Sequence, residues 1–321
     1  MYEYDKRVVL TLDAGGTNFV FSAIQGNNEM ISPIGLPAVS DNLDECLEVL
    51  VKGFDRVIAA IPVPPVAISF AFPGPADYEN GIIGDLPNFP SFRGGVALGP
   101  FLKHKYGIPV FIENDGNLFA YGEALSGALP MINRELSLAG CSREYKNLIG
   151  ITLGTGFGAG VVINKVLLTG DNGCGGDIWL MRNKKYPDML AEESVSIRAV
   201  RRVYSDLSGQ SSASLSPKDI YDIAEGIKEG DSHAAIASFN ELGIMAGAAI
   251  ASVLNVVDGL VVIGGGVAGA SKYILPALIT ELRAQLTTFS GNKFPCVSMQ
   301  VYNGEDESER ARFLSLSDSQ V

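Results

Sequence analysis

Short apolar runs that end in glycine-rich turns recur along the chain and predict β-strands. Residues 8–12 lead into such a turn and the apolar pattern resumes at 19–24, so the two runs predict a hairpin. The same order returns as 148–153, a glycine turn and 161–163. Because both first strands also end in Thr-Leu before the turn region, the copies indicate an internal duplication and two similar α/β domains.

Between and after these hairpins, strand-like and helical patterns alternate, which is typical of an α/β protein. The predicted strands are 66–70, 110–113 and 259–263, the last buried on both faces, and the predicted helices are 43–54, 114–127, 216–227, 231–257 and 271–285. At 321 residues the chain exceeds the size that one hydrophobic core usually supports. We therefore expect two domains with a central cleft, at 1–117 and 118–304, and a C-terminal helix within 305–321 that packs back on the first domain.

The composition favours a folded cytoplasmic protein that does not bind polyanions. Hydrophobic residues make up 47% of the chain, charged residues make up 19%, and the net charge is −12. This acidic excess repels the phosphates of nucleic acid and of anionic lipid, so neither nucleic acid nor a membrane is expected as a partner. The four cysteines are scattered and the N-terminus lacks a signal-peptide pattern, which predicts a reducing, cytoplasmic environment.

Three glycine turns directly follow apolar strands and are candidates for binding phosphate. They lie at 13–17, 154–158 and 264–266. Glycine lets backbone N–H groups approach phosphate oxygens that a side chain would keep away. One such turn can be purely structural, but three in the same setting favour a nucleotide site. Asp13 in the first turn can hold a hydrated magnesium ion against nucleotide phosphates.

Asp115 is the candidate for a catalytic base. Transfer of a phosphoryl group to a hydroxyl needs a group that accepts the hydroxyl proton, and a carboxylate in a partly desolvated cleft can do this. Asp115 follows the predicted strand at 110–113, whose end should open into the ligand crevice of an α/β domain. Asn114 beside it offers an amide suited to sugar hydroxyls. The alternative is that Asp115 is the N-cap of the next helix.

Six segments, in order, resemble the ROK family of bacterial sugar kinases and related repressors, within the actin/hexokinase superfamily. They are DAGGTN at 13–18, PGP at 73–75, LPNFPSF at 86–92, ENDGNLFAYGE at 113–123, the glycine-rich run at 153–178 and VVIGGGVA at 261–268. The resemblance covers nearly the whole chain. It implies a two-domain actin/hexokinase-like (ribonuclease H-like) fold with duplicated β-rich α/β domains. It also implies ATP and Mg²⁺ as cofactors, a sugar substrate and a homodimer.

The roles of individual residues follow from the same resemblance. Asp115 is the implied base, and the implied sugar-binding residues are Gly74, Asn88, Asn114, Asp177 and Glu192. The implied ATP-binding residues are Asp13, Gly15, Gly16, Thr17, Asn18, Gly154, Thr155, Gly156, Gly264, Gly265 and Gly266. Because Glu193 directly follows Glu192, the alignment at this position is uncertain by one residue.

The chain departs from the family pattern where the sugar and zinc segments are expected. Residues 176–180 read Gly-Asp-Ile-Trp-Leu in place of Gly-Glu-Ile-Gly-His, so the carboxylate is shortened to Asp177 and the histidine is replaced by Leu180. The cysteine-rich zinc loop is missing as well, because 181–190 contains neither Cys nor His. We therefore expect no structural zinc. Trp179 is expected either to pack in the core or to stack on a sugar face.

Three classes of function fit at least part of this pattern. The retained Asp13 and Asp115 favour an ATP-dependent kinase that phosphorylates a hexose or an amino sugar. The altered segment at 176–180 favours a catalytically weak, sugar-sensing regulator. An acetate- or propionate-type kinase, or a chaperone-like ATPase of the same superfamily, would keep the phosphate turns but not the segments at 86–92 and 113–123.

Overall fold

The structure is a computed structural model that describes residues 2–15, 17–72, 74, 76–85 and 90–315. The chain divides into two compact units. The first unit consists of Met1–Leu118 with Gly170–Gly173, and the second consists of Phe119–Thr169 with Cys174–Val321. The sequence placed a boundary one residue earlier and did not assign the short 170–173 segment to the first unit.

The first unit is built on a mixed sheet that contains six strands among its described residues. Its elements are β1 (Val9–Ala14), β2 (Asn18–Gln25), β3 (Asn28–Glu29), β4 (Ile34–Pro37), α1 (Leu43–Ala60), β5 (Ala67–Ala71), β6 (Ala76–Asp77), β7 (Ile82–Ile83), α2 (Leu98–Tyr106), β8 (Val110–Glu113) and the start of α3 (Asp115–Leu125). The strand order is β3-β2-β1-β5-β8, with β4 also paired to β2. The short strands β6 and β7 form a separate pair.

The core of the first unit forms where β1 and β2 meet helix α1. Alternate residues of both strands point inward, so that Leu10 and Phe21 are fully buried. Asn42 caps α1 by accepting a hydrogen bond from the N–H of Glu45 at 3.3 Å. Gly53 on α1 lies against the Phe21 ring, which an added Cβ would approach to 2.3 Å. Helix and sheet are therefore closer together here than a larger residue at position 53 would permit.

The second unit contains a four-stranded sheet, in the order β11-β10-β9-β12, and most of the helices of the described chain. Its elements after α3 are α4 (Ala128–Leu138), β9 (Leu148–Leu153), β10 (Phe157–Ile163), β11 (Val166–Leu167), α5 (Ile197–Ser208), α6 (Pro217–Ala224), α7 (Ser232–Val257), β12 (Leu260–Gly264), α8 (Ser271–Leu282), β13 (Gln285–Thr287), β14 (Lys293–Pro295) and α9 (Glu307–Leu314). Strands β13 and β14 form a separate hairpin.

The two units repeat one arrangement of strands. In the first, β1 pairs antiparallel with β2 and parallel with β5. In the second, β9 pairs antiparallel with β10 and parallel with β12. Both predicted hairpins are confirmed, and so is the α/β fold class.

Two expectations about local structure were wrong. Strand β12 was expected to be buried on both faces, but its five residues are only half-buried because it lies at the edge of its sheet within the described chain. Apolar composition indicates which residues favour burial, whereas the position of a strand in its sheet decides how far burial goes. Helix α6 ends at Ala224 rather than 227, since Gly226 adopts a left-handed conformation with φ +71°.

The C-terminal helix α9 contacts residues of the second unit. Arg310 forms an ion pair with Glu135 of α4 at 2.6 Å, and the Phe313 ring lies 5.7 Å from the Tyr145 ring. These partners belong to the second unit, and packing of the 305–321 helix on the first domain stays a prediction. An amphipathic pattern predicts that one face is covered, but it does not identify the covering element.

Helix α7 is, among the described residues, the one helix long and apolar enough by composition to cross a membrane. Half of its most apolar window is buried within the protein. Gly243 and Gly247 face α8 so closely that an added Cβ would lie 2.4 Å from the Ile274 carbonyl and 2.9 Å from the Leu278 carbonyl. These contacts make α7 the core helix of the second unit.

Candidate functional site

In the first unit, acidic residues from two strand ends lie in one row. Asp13 of β1 is paired with Ala71 of β5, which is paired with Glu113 of β8. Because these three strands are parallel, their carboxyl ends meet at one edge of the sheet. At a strand spacing of about 4.8 Å, the backbones of Asp13 and Glu113 are about 10 Å apart. The Asp13 side chain is exposed at this edge.

The first glycine turn joins β1 to β2 beside Asp13. An added Cβ on Gly15 would lie 2.9 Å from the Asn18 carbonyl oxygen, so the turn is tight enough to require glycine there. Thr17 and Asn18 are exposed on the turn. An added Cβ on Gly74 would lie 3.0 Å from the Tyr78 hydroxyl oxygen.

Asn114, and not Asp115, caps helix α3. The Asn114 Oδ1 accepts hydrogen bonds from the N–H groups of Gly116 at 2.9 Å and Asn117 at 3.4 Å, which is the N-cap pattern. The Asp115 carboxylate accepts from the adjacent Gly116 N–H at 2.9 Å and is exposed. The alternative reading of Asp115 as the N-cap was therefore wrong, because its neighbour holds that position.

Glu113 and Asn117 form hydrogen bonds that hold the backbone at 113–117 in place. The sequence did not reveal this role. The Glu113 Oε1 accepts from the Asn114 N–H at 2.8 Å and from the Asn117 side-chain amide at 3.1 Å. Asn117 is only 7% exposed. These bonds join the end of β8 to the first turn of α3 and so fix the backbone on which Asp115 stands.

In the second unit, the two remaining glycine turns lie side by side. The turn at 154–156 joins β9 to β10 and is closed by a hydrogen bond from the Gly154 N–H to the Gly156 carbonyl at 3.1 Å. Gly265 has φ +91°, and an added Cβ there would lie 2.4 Å from the Leu153 carbonyl. Gly264 ends β12 beside Thr152 of β9. Thr155 in the 154–156 turn is exposed. An added Cβ on Gly266 would meet no atom within 4 Å.

Glu192 contacts the 154–156 turn directly. Its Oε2 accepts a hydrogen bond from the Phe157 N–H at 3.1 Å, and an added Cβ on Gly156 would lie 2.6 Å from the same oxygen. The Glu192 side chain is 23% exposed, whereas that of Glu193 is 49% exposed. Glu192 rather than Glu193 is therefore the carboxylate that the fold turns inward.

Arg198 of helix α5 belongs to the same cluster. Its guanidinium donates to the Glu192 Oε1 at 3.1 Å, to the Thr155 carbonyl at 3.4 Å and to the Glu193 Oε1 at 3.4 Å. The hydrogen bond to Glu192 raises the pKa of Arg198 above its usual value. No sequence motif marks this residue, because its partners come from separate segments.

Asp177 is exposed at the start of a short 3-10 helix (Ile178–Leu180). Its Oδ1 accepts a hydrogen bond from the Trp179 indole N–H at 3.2 Å. Trp179 is 36% exposed, so it is not a core residue, and Leu180 is 50% exposed. This 3-10 helix contacts the one that carries Glu192 (Ala191–Glu193), which brings the two carboxylate-bearing segments together.

The loop between these two 3-10 helices is organised by a buried amide. Asn183 is 1% exposed and donates to the Leu190 carbonyl at 3.1 Å and to the Ser194 hydroxyl at 2.8 Å. Its Oδ1 accepts from the N–H groups of Lys185 and Tyr186 at 3.0 and 2.9 Å. All four hydrogen-bonding positions of the amide are thus used in closing a loop that holds no Cys or His.

Two predicted residues, Gly16 and Asn88, lie outside the described residues, as do Pro73 and Pro75 of the PGP segment. The others fall into two groups. Asp13, Gly15, Thr17, Asn18, Gly74, Asn114 and Asp115 belong to the first unit, and Gly154, Thr155, Gly156, Asp177, Glu192, Gly264, Gly265 and Gly266 belong to the second. Within the described chain, no group of three His, Cys, Asp or Glu side chains is arranged to hold a metal ion.

Comparison with known proteins agrees with this arrangement of strands and turns. The ROK family model matches residues 9–308. The crystal structure of a glucokinase from Parabacteroides distasonis ATCC 8503 is 61% identical, with a TM-score of 0.87, and covers 98% of this chain and 86% of that one. The glucokinase of Thermotoga maritima is 26% identical over 290 residues, 85% of this chain and 86% of the relative. The xylose repressor of Bacillus subtilis strain 168 is 24% identical over 262 residues, 77% of this chain and 61% of the repressor.

Proposed function

The chain belongs to the ROK family, within the actin/hexokinase-like superfamily, and on this premise we propose that it transfers the γ-phosphoryl group of ATP to a hydroxyl of a hexose or an amino sugar. A glucokinase at 61% identity supports this choice over other chemistries of the superfamily. We further propose that it acts as a cytoplasmic homodimer.

The proposal rests on the different positions of Asn114 and Asp115. Asn114 caps α3, and this leaves the Asp115 carboxylate exposed at the carboxyl end of a parallel strand. The Asp115 carboxylate accepts from one backbone N–H, that of Gly116, whereas a carboxylate in the capping position of Asn114 would accept from two and would be a poorer base. Glu113 and Asn117 hold the backbone in place beneath it.

In the proposed reaction the sugar oxygen attacks the γ-phosphorus as Asp115 accepts the hydroxyl proton. A new O–P bond forms, the bond from the γ-phosphorus to the β–γ bridging oxygen breaks, and ADP leaves with that electron pair. The glycine turns provide backbone approach to the phosphates. The single exposed carboxylate of Asp13 suits a magnesium ion that keeps most of its water ligands, and such an ion would offset phosphate charge.

The sugar side of the proposed site carries Asp177 and Glu192. Carboxylates accept hydrogen bonds from sugar hydroxyls, and both lie on contacting 3-10 helices. Trp179 is exposed beside Asp177, so the apolar face of a sugar ring has an aromatic partner available. Leu180, which stands in place of the histidine of the family pattern, offers no hydrogen bond. We therefore expect weaker dependence on one sugar hydroxyl than the family pattern implies.

The test is ATP consumption by the purified protein with magnesium and a panel of hexoses and amino sugars. Asp115→Asn keeps the shape of the side chain and removes its basicity, so we expect turnover to fall by about 10²–10⁴-fold. Asp44→Asn is the matched control, because Asp44 is likewise an exposed acid in the first turn of a helix. Sugar-dependent turnover that Asp115→Asn removes and Asp44→Asn retains would support the kinase.

A sugar-sensing regulator is the second candidate. It is favoured by the altered segment at 176–180, where the Asp177 carboxylate already accepts a bond from Trp179, and by the similarity to a xylose repressor. This reading would prevail if sugars raised the melting temperature of the protein but none supported turnover.

A further inference from the structure

A carboxylate on the sugar side of the proposed site is hydrogen-bonded to a turn on its nucleotide side. Glu192 accepts from the Phe157 N–H through Oε2 and from Arg198 through Oε1, at 3.1 Å in each case. Arg198 also donates to the Thr155 carbonyl of the turn. The turn, the carboxylate and the guanidinium therefore form one closed set of hydrogen bonds.

The backbone adds a further connection at the same place. The Ile197 N–H, in the first turn of α5, donates to the Gly154 carbonyl at 2.9 Å. Ser196 caps α5 by accepting from the Ala199 N–H at 3.4 Å. The start of the helix that carries Arg198 is thus fixed against the turn. This places the Arg198 guanidinium close to the turn and to Glu192.

This cluster differs from an ordinary surface ion pair. Exposed pairs usually contribute little to stability, because water and salt screen them and two flexible side chains must be ordered. Here the Arg198 side chain is 55% exposed, but that of Glu192 is only 23% exposed, and Arg198 has acceptors on three residues. Such an arrangement fixes geometry more than it adds stability, since the planar guanidinium directs each hydrogen bond.

We propose that Arg198 is a positioning residue that couples sugar binding at Glu192 to nucleotide binding at the 154–157 turn. A sugar hydroxyl that binds Glu192 restricts the motion of the carboxylate. Because Arg198 is hydrogen-bonded to both the carboxylate and the turn, the turn becomes more ordered as well. A nucleotide that binds the turn then orders fewer groups, so each ligand increases the affinity of the other. This inference rests on the proposed sugar kinase function.

The test measures the affinity for AMPPNP, a non-hydrolysable ATP analogue, by titration calorimetry with and without saturating glucose or N-acetylglucosamine, using whichever supports turnover. In the wild type we expect sugar to tighten AMPPNP binding by about 5-fold or more, within the usual range of coupling between sites. Sugar affinity should rise by the same factor when AMPPNP is present, because coupling is reciprocal. In Arg198→Met we expect both factors to fall to within about 2-fold of one, since the methionine keeps the apolar stem and loses the guanidinium.

Matched controls come from the neighbouring positions. Arg202→Met removes the same charge from the same helix, but Arg202 contacts the Glu193 carbonyl and not the Glu192 carboxylate, so coupling should stay at the wild-type value. Glu192→Gln should lose coupling, whereas Glu193→Gln should retain it. Melting temperatures of all four variants separate a change in coupling from a loss of folding.

The possible failures are distinguishable. Wild-type turnover with independent binding of the two ligands, or an Arg198→Met variant that keeps the wild-type coupling, would overturn the role of Arg198 and leave the kinase intact. Absence of turnover on the whole sugar panel would overturn the proposed function, and the coupling with it.

Discussion

The side-chain amide of Asn183 lies 2.8 Å from the hydroxyl of Ser194, and both residues are 1% exposed. The bond joins the start of the 181–190 loop to the residue two positions after Glu192. Four hydrogen bonds of this one amide close the loop. The position of Glu192 thus depends on a polar network that is buried and fully paired.

Replacing Asn183 should therefore destabilise the second unit. Asn183→Ala leaves the Ser194 hydroxyl, the Leu190 carbonyl and two N–H groups without this partner, and we expect a loss of about 2–4 kcal/mol in the free energy of unfolding. Urea unfolding followed by circular dichroism measures it. Asn292→Ala, at an exposed position in the β13–β14 hairpin, should change the free energy by less than about 0.5 kcal/mol. Equal effects of the two changes would contradict this role for Asn183.

Gly150 should not tolerate a side chain. It lies in the middle of β9, and an added Cβ would come within 2.6 Å of both the Cα and the Cβ of Ala120 on α3. Gly150→Ala must push helix and strand apart, which we expect to cost about 1–3 kcal/mol by thermal or urea unfolding. Gly269→Ala is the control, because an added Cβ there meets no atom within 4 Å. A Gly150→Ala protein as stable as the wild type would show that this contact can relax freely.

The stability contributed by Asp219 should depend on pH. Hydrogen bonds from Lys228 and from Ser216, the latter within the capping box of α6, hold the pKa of Asp219 well below its usual value of 3.8. A carboxyl with a lowered pKa stabilises the fold above its unfolded pKa, and this contribution is lost as pH falls toward the folded pKa. Asp219→Asn should therefore destabilise the protein at pH 7, and its difference from the wild type should shrink below about pH 4. Urea midpoints from pH 7 to pH 3 would reveal it, and a difference that stayed constant would rule out linkage to this carboxyl.

The cysteines should differ sharply in reactivity. Cys46 is buried in α1, and burial raises the pKa of its thiol to about 11, while Cys174 is exposed. Because the thiolate is the reactive form, an aromatic disulfide reagent at pH 8 should label Cys174 quickly and Cys46 only after unfolding. Cys174→Ser should remove the fast phase of labelling, and Cys46→Ser should leave it unchanged. Persistence of the fast phase in Cys174→Ser would assign it to another thiol.

Features set by local sequence were predicted well. The β1–β2 hairpin and strand β8 follow from apolar runs bounded by glycine or by Pro109, and β8 has the predicted bounds. The choice between Asn114 and Asp115 as N-cap could not be made, because both residue types are favoured there and they are adjacent. The structure decides it through the hydrogen bonds of Asn114.

Features set by contacts between distant segments were not predictable. Arg198 meets Thr155 and Glu192 only after β9, β10 and α5 have packed. The sequence of the 181–190 loop showed that zinc ligands were missing, but it did not show that Asn183 organises the loop. In the same way, the charge pattern of α9 did not reveal that Arg310 pairs with Glu135 across 175 positions of chain.

The order of the two units along the chain also affects how the protein is made. The buried cluster of the first unit runs from Val8 to Ile112, so its residues have all been synthesised before β9 begins at Leu148. Domains generally fold as units during synthesis, with the N-terminal one first. A growing polypeptide can therefore close one core while the next is still being translated. The four residues at 170–173 join the first unit later. Less apolar surface is therefore exposed on the ribosome than if both sheets formed only after the last residue had been added.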